Sequence, residues 1–501
     1  MLFQYTFQQK ESLNKTKDSI LSALKEKGYY SLIIDSINQQ QKEYTYFLKL
    51  GTKIKTAYIK IRPKDWGITQ ALGYTYTKEG ILTLEIERLK PFLNSVSNHL
   101  IEDGLLFSKI KLTNTTINNQ SLFTELQINS SKKRSINKTI LNGYTDFSSA
   151  FINHYLKLND SAILNVTKIE EISKKINQLN FVSEIKKPEF LFSKDSTILY
   201  LYLKKKKSNS FDGLINFSNE NKKITFKGYL DLNLVNIFNK GEEIKINWRN
   251  NSNSKQDFTL KTKIPYLFNS KVSTALSFNL YRNDSTYINT NSKISLSYPI
   301  NEHTDVSLLI SNESSTVHSV IGSISNFDKK MIGVGLRYNS HKSNKFNIDA
   351  NVSYATRNTS KKTNQYLINL STSGLIKTST KTDVYIRSKT SFLLSDSYLE
   401  NELFREGGSN SIRGFNEQSI FTSKFSYVNS EFRLISQNKS YLYSIHDLGI
   451  FEANNKSNVL YAIGAGYNYI KNNNSIDLSY VYGSTHNSKS SFISVKLLTQ
   501  F

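Results

Sequence analysis

From about residue 208 onward the sequence alternates apolar and polar residues, and this period of two limits the possible folds more than anything else in the chain. Phe346, Ile348, Ala350, Val352 and Tyr354 alternate with Asn347, Asp349, Asn351 and Ser353. Ile294, Leu296 and Tyr298 alternate with Ser295 and Ser297, as do Ile244, Ile246 and Trp248 with Lys245, Asn247 and Arg249. Such a period sends successive side chains to opposite faces of an extended strand. Each run approximates the ~9–11 residues with which a tilted strand crosses a bilayer. Clusters of Asn, Ser, Lys and Gly separate the runs. No run approaches the ~18 apolar residues of a membrane helix, which excludes a helical membrane protein. Soluble sandwiches alternate as well, so the pattern alone does not place the chain in a membrane. Among sheets, only a closed one can cross lipid, because there every backbone donor and acceptor must be paired.

Reading runs against loops gives about eleven strands before Gly407 and about five after Phe415, an even total near sixteen. The later ones run near Ser423–Ile435, Tyr441–Glu452, Val459–Tyr469, Ser475–Tyr482 and Ser491–Phe501, and the first near Phe211–Ser218. On the last strand Ile493, Val495, Leu497 and Phe501 share one face, interrupted by Thr499, while Ser494, Lys496 and Gln500 share the other. Hydrophobic residues make up 38% and mean hydropathy is −0.43, yet aromatics reach 12%. Alternating barrel strands average to such a composition.

The first two hundred residues repeat. Amphipathic helices, such as Leu89, Phe92, Val96 and Leu100 or Val166, Ile169, Ile172 and Ile176, end at Gly28, Gly104 and Asn180. These stops fall at equal intervals of 76 residues (28, 104, 180). Gly and Asn adopt the left-handed conformation that closes a helix. Strands follow, Lys109–Leu112 with Leu122–Ile128 and Phe181–Lys186 with Thr197–Leu203, and Thr56–Ile61 and Ser135–Leu141 lie upstream. Three copies of one small α+β domain are expected, the first short of its opening strand. The plain alternative is a set of α+β repeats with no binding role. The functional one is that exposed sheet edges pair with an extended client strand.

Zero Cys excludes disulfides and thiolate sites, and fits passage through an oxidising envelope compartment. The net charge of +24 suggests nucleic acid at first sight. The lysines are scattered, however, and the dense runs Lys132-Lys133-Arg134 and Lys204–Lys207 sit at joints between units. Solvated loops that meet anionic headgroups are the better reading, with no nucleic-acid partner. No His-Glu-x-x-His, phosphate-binding loop or Gly-x-Ser-x-Gly elbow is present, so no enzymatic activity, metal or cofactor is expected.

The most specific stretch is Gly407-Gly408-Ser409-Asn410-Ser411-Ile412-Arg413-Gly414-Phe415, followed by Glu431 and by Asp447-Leu448-Gly449 on successive strands. With the terminal Phe501, it resembles the inward-folded sixth loop of the outer-membrane protein assembly factors, the BamA/TamA-type superfamily. The turn Asn236-Ile237-Phe238-Asn239-Lys240-Gly241 also resembles one near the start of this family's barrels, with Asn239 where the family commonly has Gly. The N-terminal repeats look like its POTRA modules.

The resemblance implies POTRA-like repeats at 1–52 (truncated or degenerate), 53–131 and 132–207. A transmembrane barrel over 208–501 follows, with the inward loop near 395–422. It implies that Arg413 pairs inside the lumen with Glu431 and Asp447, that Gly407, Gly408 and Gly414 shape the loop, and that Phe415 anchors it. Phe501, Leu497 and Val495 become an insertion signal. The family's location is the bacterial outer membrane, with the repeats in the periplasm. Its partners are unfolded outer-membrane or secreted clients, outer-membrane lipid, and accessory subunits of periplasmic or lipoprotein type. Met1-Leu2-Phe3-Gln4 has no signal-peptide character, so the sequence is expected to begin downstream of one. Two other functions fit this architecture: a two-partner-type secretion pore for one extended client, and a passive surface barrel. The loop itself either supports a seam between first and last strands or merely plugs the pore.

Overall fold

A computed structural model describes residues 10–40, 43–158, 163–194, 196–220, 223–250, 255–319, 322–340, 345–436, 439–453, 456–471, 474–485 and 489–500. The chain divides into two compact units. One is Met1–Ile140 with Leu158–Ile176 and Lys186–Leu201; the other is Leu141–Lys157 with Asn177–Ile185 and Tyr202–Phe501.

The N-terminal region opens with helix α1 (Lys10–Glu26) and a hairpin of Ile33–Gln40 with Glu43–Lys49. The second repeat is complete. Strand Thr56–Ile61 leads to α2 (Trp66–Ala71), strand Ile81–Glu85, α3 (Leu89–Glu102) and a hairpin of Lys109–Asn118 with Ser121–Asn129. Thr56–Ile61 runs parallel to Ser121–Asn129 at the centre of a four-stranded sheet. Leu89, Phe92, Val96 and Leu100 bury their shared face of α3 against Ala57, Ile59 and Ile61 of that sheet. The third repeat has strand Lys138–Asn142, α4 (Ser149–Tyr155), α5 (Val166–Gln178) and strands Val182–Phe192 and Thr197–Lys205.

The structure adds α2, α4 and the strand Ile81–Glu85 to the strand–helix–strand–strand order read from sequence. These elements are five to seven residues long, too short for a periodicity to show. It also corrects one helix stop. Gly28 and Gly104 are left-handed, at φ 101° and 80°, and Leu105 N–H donates to Leu100 O at 2.8 Å. Asn180 has no positive φ. There the following residue, Phe181, is buried between the rings of Phe147 and Phe151, 5.9 and 5.7 Å away. Packing rather than left-handed closure turns the chain.

Sixteen antiparallel strands close into a barrel in sequence order. They are β1 Ser210–Glu220, β2 Lys223–Val235, β3 Glu243–Asn250, β4 Lys255–Ile264, β5 Ser273–Asn283, β6 Tyr287–Pro299, β7 Thr304–Val317 and β8 Phe327–Asn339. They continue as β9 Lys345–Asn358, β10 Lys362–Lys377, β11 Thr382–Ser395, β12 Lys424–Ile435, β13 Tyr441–Ala453, β14 Lys456–Lys471, β15 Asn474–Thr485 and β16 Lys489–Gln500. Eleven precede Gly407 and five follow Phe415. The outer face is apolar and exposed: Leu296, Ile332, Val334, Val352, Leu448 and Ile463 all stand on it. Exposed apolar side chains on this scale require an apolar surround.

In the barrel unit, α4 packs against the β2–β3 and β4–β5 turns. Asn236, Asn239 and Gly241 have positive φ, a conformation that asparagine tolerates nearly as glycine does. That explains Asn239 in a place where glycine is the easier residue. The Glu242 carboxylate accepts from the N–H groups of Phe238 and Lys240 at 2.6 and 3.0 Å. Tyr144 bonds both Asn236 and Asn239, and Ser148 N–H donates to Asn239 O at 2.9 Å. Phe151 lies on Gly241 where a side chain would stand, and its ring meets Tyr266 edge-on at 5.3 Å. Burial pushes the Tyr155 and Tyr266 hydroxyls up to about 12.

Candidate functional site: the lumen loop

Residues 396–423 leave β11 and return to β12 by way of the lumen. A short pairing of Phe404–Glu406 with Ile420–Thr422 forms the neck of this loop. Beyond it Gly407, Gly408 and Gly414 have φ of 104°, 100° and 82°. At Gly414 the close approach requires glycine as much as the dihedral does: a Cβ there would lie 2.8 Å from Gly483 Cα on β15. Ser490 Oγ donates to Gly414 O at 2.6 Å.

This backbone delivers Arg413 to two inward-facing carboxylates. Nε and Nη2 donate to the two Asp447 oxygens at 2.9 and 2.6 Å, and Nη1 donates to Glu431 Oε1 at 2.6 Å. The Arg413 backbone N–H reaches Asp447 Oδ2 at 3.0 Å. The Asp447 side chain is fully buried and those of Arg413 and Glu431 are 14% and 12% exposed. A planar guanidinium matches such a bidentate, charge-assisted pattern and an ammonium does not. Glu431 also holds Arg433, which lies between the rings of Tyr385 and Tyr441. Beside this cluster, Arg387 on β11 and Asn429 on β12 both donate to Ser411 O at 3.0 Å.

Apolar contacts fix the rest of the tip. Ile412 and Phe415 are buried among Phe425, Tyr427 and Leu460. Gly449 faces inward with Asp447, and a Cβ on it would meet Ile412 Cδ1 at 2.8 Å. The Asp-x-Gly spacing therefore joins a carboxylate to a gap for the loop's own isoleucine. Of the other residues singled out in the sequence, Val495 and Leu497 lie exposed on the outer face of β16. Phe501 falls outside the described residues.

The structure also brings together a second cluster, on the wall strands β8–β10, that no local sequence pattern marks. The Glu402 side chain, fully buried, is gripped by Arg357 on β9, by Lys329 Nζ on β8 at 3.3 Å and by Gln365 Nε2 on β10 at 3.1 Å. Lys329 also pairs with Glu313 on β7 at 3.1 Å. Next to it the buried Asn401 donates to Ser315 Oγ and Ser325 O at 2.7 and 2.9 Å, and accepts from Asn289. The loop is thus tied at both shoulders with opposite polarity: its cation to wall carboxylates on β12–β13, its carboxylate to wall cations on β8–β9.

Placing a branched side chain at position 483 tests the close approach apart from the ion pairs. Gly483→Val is expected to displace the tip, because Gly414 occupies the space the new atoms need. Overpacking of this kind costs roughly 1–3 kcal/mol. Limited proteolysis within 407–419 should speed up while the barrel's resistance to unfolding by SDS is kept. An unchanged cleavage rate would show that the contact does not hold the tip.

No protein-family model and no curated protein matches this sequence. Solved structures do. BamA from Haemophilus ducreyi lacking POTRA domains 1–3 is 13% identical, with a TM-score of 0.54, over 88% of this chain and 98% of that one. CdiB from Escherichia coli is 12% identical, with a TM-score of 0.55, over the full length of both chains. CdiB from Acinetobacter baumannii is 15% identical at 0.53, over 99% of this chain and all of that one. At such identities the likeness is one of fold, a sixteen-stranded barrel preceded by small α+β domains.

Proposed function

We propose that the chain is an assembly factor of the BamA/TamA type that inserts client proteins into the bacterial outer membrane. In this reading residues 1–52, 53–131 and 132–207 are periplasmic modules that receive unfolded clients, and 208–501 is the barrel that releases them into lipid. The observation that carries it is the seam. Among the described residues β1 and β16 share two register positions, Ser210↔Gln500 and Phe211↔Thr499, while β1–β2 and β15–β16 each share eleven. An unpaired strand edge inside a membrane costs several kcal/mol for each polar group without a partner, and an incoming extended strand supplies those partners. The loop lies against β12–β15, next to this edge, and the Arg413 cluster sets its position. A cavity of about 880 Å³, lined by Arg413, Glu431, Asp477 and Lys496 among others, lies beside the tip. That cavity favours, as a second reading, a secretion pore that exports one extended client.

Arg413→Ala is expected to lower insertion activity at least ~10-fold, since about 1.4 kcal/mol of lost positioning already changes the held fraction tenfold. Barrel abundance should fall far less. Arg413→Lys should resemble the alanine variant, as it loses the bidentate geometry. Normal client insertion in Arg413→Ala would remove the proposed role of the cluster. Depletion of the protein separates the two readings: many outer-membrane proteins fall if it inserts, a single secreted protein if it exports.

A further inference from the structure

Four lysines stand together on the inner wall of β3–β6, further along these strands than the loop contacts Arg249–Glu417 and Asp257–Gln418. Register places Lys245 opposite Lys261, Lys261 opposite Ser277, and Ser277 opposite Lys293. Lys263 is the next inward-facing position on β4, one residue before its end. Adjacent strands are ~4.8 Å apart, and like charges directly opposite each other destabilise a sheet. The Lys245–Lys261 pairing is therefore unfavourable for the fold itself.

Several other lumen cations on the barrel strands are compensated. Arg249 pairs with Asp231, Arg337 with Asp349, Lys329 with Glu313, and Lys389 with Glu406. Among the described residues, Lys261, Lys263 and Lys293 have neither a hydrogen bond nor an ion pair, whereas Lys245 holds Glu243 at 2.7 Å. The carboxylates that act on the row are Glu243, Asp257, Asp305 and Asp349, of which Asp257 accepts from Gln418 and Asp349 pairs with Arg337. Asp477, on β15, is held by the neutral donors Tyr443 and Asn468. Between the lysines the wall is neutral and hydroxylic, with Ser277, Ser295 and Ser311 facing inward.

We propose that this row is a binding strip for an extended acidic polypeptide segment. Three strand spacings separate Lys245 from Lys293, roughly 14 Å. A single phosphate or carboxylate cannot reach across that distance, but four or five residues of extended chain at ~3.3 Å each do. Charged side chains lining a lumen draw ions of opposite sign and raise their local concentration. The inference rests on the reading that the barrel handles polypeptide. It names what part of a client the lumen holds.

The test uses the full chain in detergent micelles and a fluorescent ten-residue oligoglutamate, read by anisotropy. Saturable binding that weakens with added salt is expected, with no binding of a Gly-Ser ten-mer. Lys261→Glu with Lys293→Glu should weaken it at least tenfold. If that pair of changes harms folding, Lys261→Gln with Lys293→Gln should still weaken it, with the heat-modifiable mobility of the barrel preserved. Absence of binding to the unaltered chain overturns the proposal, as does equal binding by the folded glutamine variant. If tripolyphosphate displaces the peptide at equal total charge, the strip reads charge alone and the extended-segment claim fails. Because binding is read on purified protein, a negative result leaves the insertion reading intact. Conversely, a normal Arg413→Ala phenotype leaves this strip untouched.

Discussion

Glu402→Ala is expected to destabilise the barrel by about 3–5 kcal/mol, the range observed when one partner of a buried ion pair is removed. The Glu402 side chain is fully buried, and its two cations, Arg357 and Lys329, are 3% and 2% exposed. After the change Lys329 keeps Glu313, but Arg357 keeps only Ser397 and Thr363 as partners. A buried guanidinium with neutral partners alone has lost its counter-charge and regained no water. Glu402→Gln should cost less, since an amide oxygen still accepts from Leu399 N–H or Gln365. Glu302→Ala serves as the comparison: its pair with Lys157 is about half exposed on both sides, and such pairs are worth ~0–1 kcal/mol. The measurement is the denaturant midpoint of the barrel in micelles. Equal midpoints for Glu402→Ala and Glu302→Ala would show that the second anchor contributes nothing.

That anchor also marks where sequence reading stopped. The alternation of β9, the places of the last five strands (their ends to within three residues) and the Arg-Gly-Phe tip could all be read, because each is a local pattern with a period or a composition. Glu402 offers no such pattern. It sits in Glu400-Asn401-Glu402, which reads as a solvated loop, and its partners lie 37 to 73 residues away on three strands. Only closure of the sheet brings Lys329, Arg357 and Gln365 to one point. The lysine row was hidden for a related reason: Lys245, Lys261 and Lys293 are each an ordinary polar position of an alternating strand, and register alone lines them up. Asn180 erred the other way, where a local rule was overridden by the burial of Phe181. Short α2 and α4 were missed because six or seven residues cannot display a helical period.

Joining the two ends of the barrel should abolish activity more completely than any change in the loop. Phe211 and Thr499 are register partners, and facing residues of an antiparallel pair have Cα atoms ~4.5–5.5 Å apart, within disulfide range. The chain has no Cys, so Phe211→Cys with Thr499→Cys introduces a single possible bridge. Among the described residues two register positions hold the seam, and a backbone hydrogen bond contributes only about 0.5–1.5 kcal/mol net. An incoming strand that pairs along the rest of β1 can therefore displace them without help. A covalent link at the same place removes that route while leaving the lumen, the loop and its two anchors unchanged. Under oxidising conditions client insertion should fall to background, and reductant should restore it. The same bridge at Tyr480 and Ile493, partners within the closed β15–β16 ladder, should have no effect. A locked seam with undiminished insertion would mean that clients never pair there. The secretion reading predicts instead that export of its client continues with the seam locked, since an exported chain passes through the lumen and needs no opening between β1 and β16.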